Sequence, residues 1–253
     1  MSDNGENVIT LQYVLELLQY PMKHLDWSEA PVDPDLEPMD HYILSRLADA
    51  ASSTDKALEA YRFSDAASSV YQFFWHEFCD WYIELVKSRL FSDDEKSKAA
   101  AQSTLVYVLD QALRMLHPFM PFITEELWQK LPLQDAKASI CISDFPLGLD
   151  ALRNTALEQD FDLLKDAITG IRTVRSESNV PPSKKVEVML LSPDADTRAR
   201  LEAYAKDIAH ISKTESLTIA EPSVARPGQA GVHVVEKFEV VVSLEGLVDF
   251  EEE

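Results

Sequence analysis

The sequence predicts a mainly α protein, a helical bundle followed by a small α+β subdomain, on three observations. Apolar residues recur at helical spacing as far as Glu177. Prolines punctuate that pattern, at the corner His117-Pro118-Phe119-Met120-Pro121-Phe122 and again at Pro181-Pro182. Beyond Pro182 the hydrophobic period falls to two, with Val186, Val188 and Leu190 alternating. At 253 residues, 46% hydrophobic and 26% charged, the chain can bury an ordinary core, so neither disorder nor a stapled miniature scaffold is needed.

Residues 1–39 make a first segment. Val8, Leu11, Val14, Leu15, Leu18, Met22 and Leu25 predict an amphipathic helix over 8–25, interrupted near Pro21. Pro31, Pro34 and Pro38 among Asp33, Asp35 and Glu37 then form a loop, because neither a helix nor an inner strand tolerates that proline density. The bundle occupies 40–182. Asp40 is placed to cap a helix carrying Ile43, Leu44, Leu47 and Ala51 towards Tyr61. Ser64 or Asp65 starts the next helix, which runs to about Leu90. It carries two neighbouring apolar stripes, Val70-Phe74-Phe78-Trp81-Leu85 and Tyr71-Trp75-Tyr82-Val86, beside a polar stripe of Ser69, Gln72, His76, Asp80, Glu84 and Lys87. So broad an apolar face belongs at the centre of a bundle.

Ser92-Asp93-Asp94-Glu95 reads as a loop and cap, and the helix after it, with Leu105, Val108, Leu109, Ala112 and Leu116, ends at His117-Pro118. Thr124 to Trp128 is a short helix stopped by Pro132. A long helix follows from about Leu149 to Glu177, with Leu157, Phe161, Leu164, Ile168 and Ile171 as its stripe, and Asn179-Val180-Pro181-Pro182 closes it. The α+β part occupies 183–253: a strand from Val186, helix over Pro193 to Ile211, a short strand from Leu217 to Ala220, and one or two more between Val232 and Leu244.

Charge narrows the function. Against 44 Asp+Glu stand 23 Lys+Arg, a net of −21, so the chain repels nucleic acid on average and RNA contact requires a local exception. One stretch turns positive: Lys165, Arg172, Arg175, Lys184 and Lys185 face only Asp166 and Glu177, a net of +3. No apolar run approaches the ~20 residues of a membrane span, and the acidic start lacks a secretory pattern. Cys79 and Cys141 alone suit a reducing, cytoplasmic setting and build no disulfide framework or zinc knuckle.

Several constellations resolve to ordinary structure. The aromatic run Tyr71, Phe73, Phe74, Trp75, Phe78, Trp81, Tyr82 could stack bases, worth about 1–3 kcal/mol each. Burying a ring of ~200 Å² at ~25 cal/mol/Å² returns roughly 5 kcal/mol, and the rings lack interleaved Arg or Lys, so core packing is expected. His76, Cys79 and Asp80 lie within one turn, but no second Cys/His pair stands at zinc spacing and His76 belongs to the polar stripe; an ion-pair network is expected and no metal. With six glycines, no G-x-x-x-x-G-K-[ST], no G-x-G-x-x-G and no G-x-S-x-G, no catalytic residue and no cofactor site is predicted. Within the positive stretch, Arg175 falls in line with the apolar stripe, as suited to bonding terminal carbonyls or a buried acid as to meeting RNA. Lys184 and Lys185 precede a strand, where charge also protects an exposed edge.

Certain segments are more specific. They are Asp40-His41-Tyr42-Ile43-Leu44-Ser45-Arg46-Leu47, Ala60-Tyr61-Arg62-Phe63, Phe74-Trp75-His76-Glu77-Phe78-Cys79-Asp80-Trp81-Tyr82-Ile83-Glu84-Leu85-Val86-Lys87, and the run from Leu116 through the proline corner to Trp128. Ile171-Arg172-Thr173-Val174-Arg175-Ser176-Glu177, Pro181-Pro182-Ser183-Lys184 and Leu244-Glu245-Gly246-Leu247-Val248-Asp249 complete the set. Together they resemble the anticodon-binding region of class I aminoacyl-tRNA synthetases. The proline corner is shared by the isoleucyl, leucyl and valyl families, whereas Phe-Cys-Asp-Trp-Tyr-Ile-Glu and Leu-x-Gly-Leu-Val-Asp point to the valyl one.

The resemblance covers about residues 40 to 250 and implies a bundle that docks on the anticodon arm of tRNA, followed by an α+β connection that in the family leads to a coiled coil. It implies a valine-accepting tRNA and a separate catalytic half as partners, and neither membrane nor DNA. Neither ATP-handling motif, His-Ile-Gly-His or Lys-Met-Ser-Lys-Ser, is present, nor an editing stretch. Residues 8–25 lack the family's Trp-Asn-Ala-x-Arg-Phe type motif, and the chain stops where the coiled coil would begin. The expectation is a non-catalytic, tRNA-binding part of a valine–tRNA ligase. Arg172, Arg175, Lys184 and Lys185 are its phosphate contacts, with Lys87 and Arg89 as weaker ones. The alternative is an acidic protein–protein interaction or assembly module that kept the fold and no longer binds RNA.

Overall fold

The computed structural model describes residues 36–132, 138–181 and 183–246. The helix expected over 8–25 lies outside them. The mainly α fold with a small α+β part is as the sequence predicts. The chain divides into two compact units, 1–157 and 158–253.

In the first unit, α1 (Pro38–Glu59) starts earlier than expected. Glu37 is its N-cap, Pro38 takes the first turn, where a missing N–H costs nothing, and Asp40 closes a capping box by accepting from the Glu37 N–H at 2.9 Å. The chain reverses at Tyr61, whose φ is 56°. Next, α2 (Phe63–Tyr71) continues without a break into a π-helical stretch, Gln72–Tyr82, and then α3 (Ile83–Leu90). The π winding alters the face expected from a 3.6-residue period. Hydrogen bonds from i to i+5 widen each turn, so Phe74, Phe78 with Cys79, and Tyr82 with Ile83 come inward together, while Tyr71 stays exposed. The Phe74, Phe78 and Tyr82 rings stack in series at 5.9 and 6.0 Å; they are core, as burial energetics predicted. His76 pairs with Asp80 at 3.1 Å on the exposed side.

Asp94 caps α4 (Glu95–Leu116) by accepting from the Lys96 and Ser97 N–H groups. Beyond the corner, α5 (Pro121–Trp128) is tied back to α4 through buried Asp110, which accepts from Trp128 Nε1 at 2.6 Å, Arg114 Nε at 3.0 Å and Gln111 Nε2 at 2.8 Å. Desolvation raises the Asp110 pKa above the ordinary aspartate value despite these donors.

The long helix begins later than predicted. A 3-10 turn, Asp150–Leu152, precedes it, and Asn154 accepts from the Leu157 N–H at 3.1 Å to start α6 (Thr155–Glu177). The second unit carries most of α6 with a four-stranded sheet: β1 (Val186–Leu191), β2 (Thr214–Ala220), β3 (Ala230–Val234) and β4 (Glu239–Ser243), in the order β2-β1-β4-β3. Helices α7 (Ala195–Ala203) and α8 (Ala205–Ser212) form the crossover that lets β2 run parallel to β1. The sequence read this crossover as one helix and set a boundary after Pro182; the contacts group α6 with the sheet instead. The reason lies in two glycines. A Cβ on Gly170 would sit 2.8 Å from Val240 Cγ2, and one on Gly231 would sit 2.4 Å from Val174 Cγ1. Helix and sheet approach that closely only because both positions lack a side chain.

Candidate nucleic-acid interface

The interface is organised by the last turn of α6. Arg175 is buried there, its position on the apolar stripe carrying it inward. Nη1 donates to Ser212 O at 2.8 Å, and Nη2 donates to Pro181 O at 2.8 Å and Lys184 O at 2.7 Å. One guanidinium thus pins the end of α8, the loop after α6 and the lead into β1. Desolvation lowers its pKa from the ordinary arginine value. As a direct phosphate contact Arg175 is therefore set aside: its side chain is buried and three of its five N–H groups are committed to carbonyls. The helix ends as predicted, with Asn179 left-handed at φ 52° and the Val180 N–H returning to Arg175 O at 2.9 Å.

Around this staple the chain displays cations. Arg172, one turn earlier, is exposed, as are Lys184 and Lys185. Lys213, which the sequence reading overlooked, is exposed at the left-handed cap of α8, φ 52°. The signal was available as a basic residue between a helix and a strand, but only the fold brings it beside the others. A hollow of about 530 Å³ lies here, lined by Arg172, Arg175, Ser176, Asn179, Val180, Pro181, Ile211, Ser212 and Lys213, with three cations and no acid. The Ser212 Oγ is buried and makes no hydrogen bond among the described residues.

The remaining predicted contacts do not join this surface. Lys165, part of the positive stretch but not one of the predicted contacts, pairs with Asp162 at 3.1 Å. Lys87 is half-buried and paired with Glu84. Arg89 is 6% exposed and committed within the first unit: Nη1 meets Asp40 at 2.7 Å, Nε lies 3.0 Å from Glu37 and donates to Ser97 Oγ at 2.8 Å, and Nη2 donates to Ser97 O at 3.0 Å. Tyr82 also donates to Asp40, at 2.7 Å, and burial with the Asp40 charge holds its phenol well above its ordinary pKa. Arg89 is thus the counter-ion of a buried carboxylate and cannot reach RNA.

Comparison with known proteins agrees with this architecture. Residues 40–190 match the family model described as the anticodon-binding domain of tRNA ligase, and the chain belongs to that family. Among curated proteins it is similar to the valine–tRNA ligases of Syntrophotalea carbinolica (41% identical, covering 90% of this chain and 26% of the relative), Geobacter sulfurreducens (40%, 88% and 25%) and Geobacillus stearothermophilus (37%, 92% and 26%). The chain spans about a quarter of the length of these relatives. Among the described residues no helix is long and apolar enough to cross a membrane.

Proposed function

We propose that this chain is the tRNA-docking portion of a valine–tRNA ligase, holding the anticodon arm of a valine-accepting tRNA in the cytoplasm, with ATP-dependent chemistry supplied by a separate catalytic part. It needs no cofactor for this role. The acid-free cationic hollow of the second unit carries the reading, because it is a local exception on a chain of net charge −21. Arg172, Lys184, Lys185 and Lys213 meet phosphates as charges, while the buried Arg175 keeps their segments in register and adds its own charge to the field. Phosphate contacts position without reading sequence, so discrimination among tRNAs rests on shape and on the rest of the ligase.

The test is a salt titration of tRNA binding. Neutralising about four phosphates gives a slope of log K against log salt near −3 to −4. A salt-insensitive affinity refutes the mechanism. The alternative, an interaction module that no longer binds RNA, draws on the apolar surface at the proline corner, where Phe122 is 90% and Ile142 60% exposed. It predicts no retention of tRNA even at low salt.

A further inference from the structure

We propose that His117, Glu125 and Cys141 form a binding site for a divalent cation of zinc's class. The imidazole lies at the C-cap of α4, the carboxylate on α5, and the thiol in a 3-10 turn, Ile140–Ile142. One nitrogen, oxygen or sulfur atom from each lies within 4.8 Å of the others. This grouping was invisible as a zinc spacing because its members are scattered along the sequence and meet only through the proline corner.

The hydrogen-bond geometry accommodates the ligating tautomer. With the Thr124 hydroxyl proton on Met120 O, 2.8 Å away, Oγ1 accepts from His117 Nδ1 at 2.7 Å. In that arrangement the lone pair of Nε2 faces Cys141 Sγ at 3.0 Å. Tetrahedral zinc, with bonds of about 2.0–2.3 Å, sets an N···S separation of about 3.5 Å, so the pair needs to open only slightly. Glu125 is oriented as well: its carboxylate accepts from Ser139 Oγ at 2.6 Å and Gln129 Nε2 at 2.7 Å. Two bonds leave a carboxylate with lone pairs to spare. Ser139 Oγ also accepts from the Cys141 N–H at 3.2 Å, so one hydroxyl braces two of the three donors. Outer-shell partners of this kind characterise built metal sites. Three protein donors leave a fourth position for water, and binding converts the Cys141 thiol to a thiolate, releasing one proton to the buffer.

The experiment uses the full chain, reduced, with Co²⁺ as the spectroscopic probe and Zn²⁺ as competitor. One Co²⁺ per chain, a sulfur-to-cobalt charge-transfer band, its displacement by Zn²⁺ and release of one proton are the expected results. Cys141→Ser abolishes the band, Glu125→Gln weakens affinity at least tenfold, and Ser139→Ala weakens it about 10–100-fold. Apo-protein circular dichroism confirms that each variant is folded, and the latter two report even if Cys141→Ser is not. Absence of the band in the wild type, its survival in Cys141→Ser, or affinity unchanged in both Glu125→Gln and Ser139→Ala would overturn the proposal.

Discussion

The two arginine-bearing helix ends of this molecule, Lys87 to Arg89 at the end of α3 and Arg172 to Lys185 at the end of α6 and just beyond it, look alike in charge and differ in use. Arg89 is buried against two carboxylates, Asp40 and Glu37, so its charge is cancelled where it stands. Arg175 is buried against three backbone carbonyls, and no carboxylate partners it among the described residues. Carbonyl dipoles stabilise a cation without neutralising it, so Arg175 still contributes to the potential of the hollow beside it. A buried arginine is thus either consumed or loaned to the surface, according to whether its partners carry charge.

The largest expected effect comes from breaking the consumed case. Arg89→Met leaves Asp40 buried without its counter-ion and should destabilise the first unit by about 3–5 kcal/mol, read by urea unfolding, while tRNA affinity of the folded protein stays as it was. An equal loss of affinity would erase the distinction between the two arginines. Arg175→Ala strips three carbonyls of a charged donor and should cost about 2–3 kcal/mol and at least tenfold in tRNA affinity. Lysine should not restore the fork, because a single ammonium cannot span three acceptors in that plane.

Gly231→Ala sharpens the comparison from the packing side. A methyl 2.4 Å from Val174 Cγ1 forces α6 off the sheet and should cost about 1–3 kcal/mol. A thermal melt that does not move would show that the helix yields freely. By contrast, alanine at Lys184, Lys185 or Lys213 should change stability by no more than about 0.5 kcal/mol, yet lower the salt slope by about 0.7–0.9 per cation removed. Slopes that do not change would place the phosphates elsewhere.

The smallest effect concerns acid. Hydrogen bonds from the Thr197 hydroxyl and then its N–H hold the Asp194 carboxyl below the ordinary aspartate range. A depressed folded pKa means that its stabilisation is present above the unfolded value of ~3.9 and is lost as pH falls through the lower folded one. Asp194→Asn keeps a capping acceptor without a proton to gain, so its acid limb should be flatter in a pH series of melts.

Much of the fold was legible in the residues. The cap falls at Asp94, inside the Ser92 to Glu95 stretch read as a loop and cap, the Asn179 stop stands where the prolines announced it, and Val186, Val188 and Leu190 turn inward as alternation required. The starts of α1 and α6 were displaced because an N-cap is chosen among nearby candidates by side-chain reach, which Glu37 and Asn154 satisfy. The π winding was missed because a 3.6-residue period was assumed through an aromatic run that accommodates a wider turn. At the candidate site, charge counting singled out Arg172, Lys184 and Lys185, which are exposed, whereas it did not point to Lys213 or the hollow.

The amino-acid order alone determined the helical bundle, the switch to strands and the family resemblance, because periodicity, caps and prolines act over a few residues. Which cations face solvent was decided only by tertiary structure. Arg175 finds Ser212 37 residues away, and Arg89 finds Asp40 49 residues away. Such pairings depend on where packing brings distant acceptors, and no local pattern encodes that.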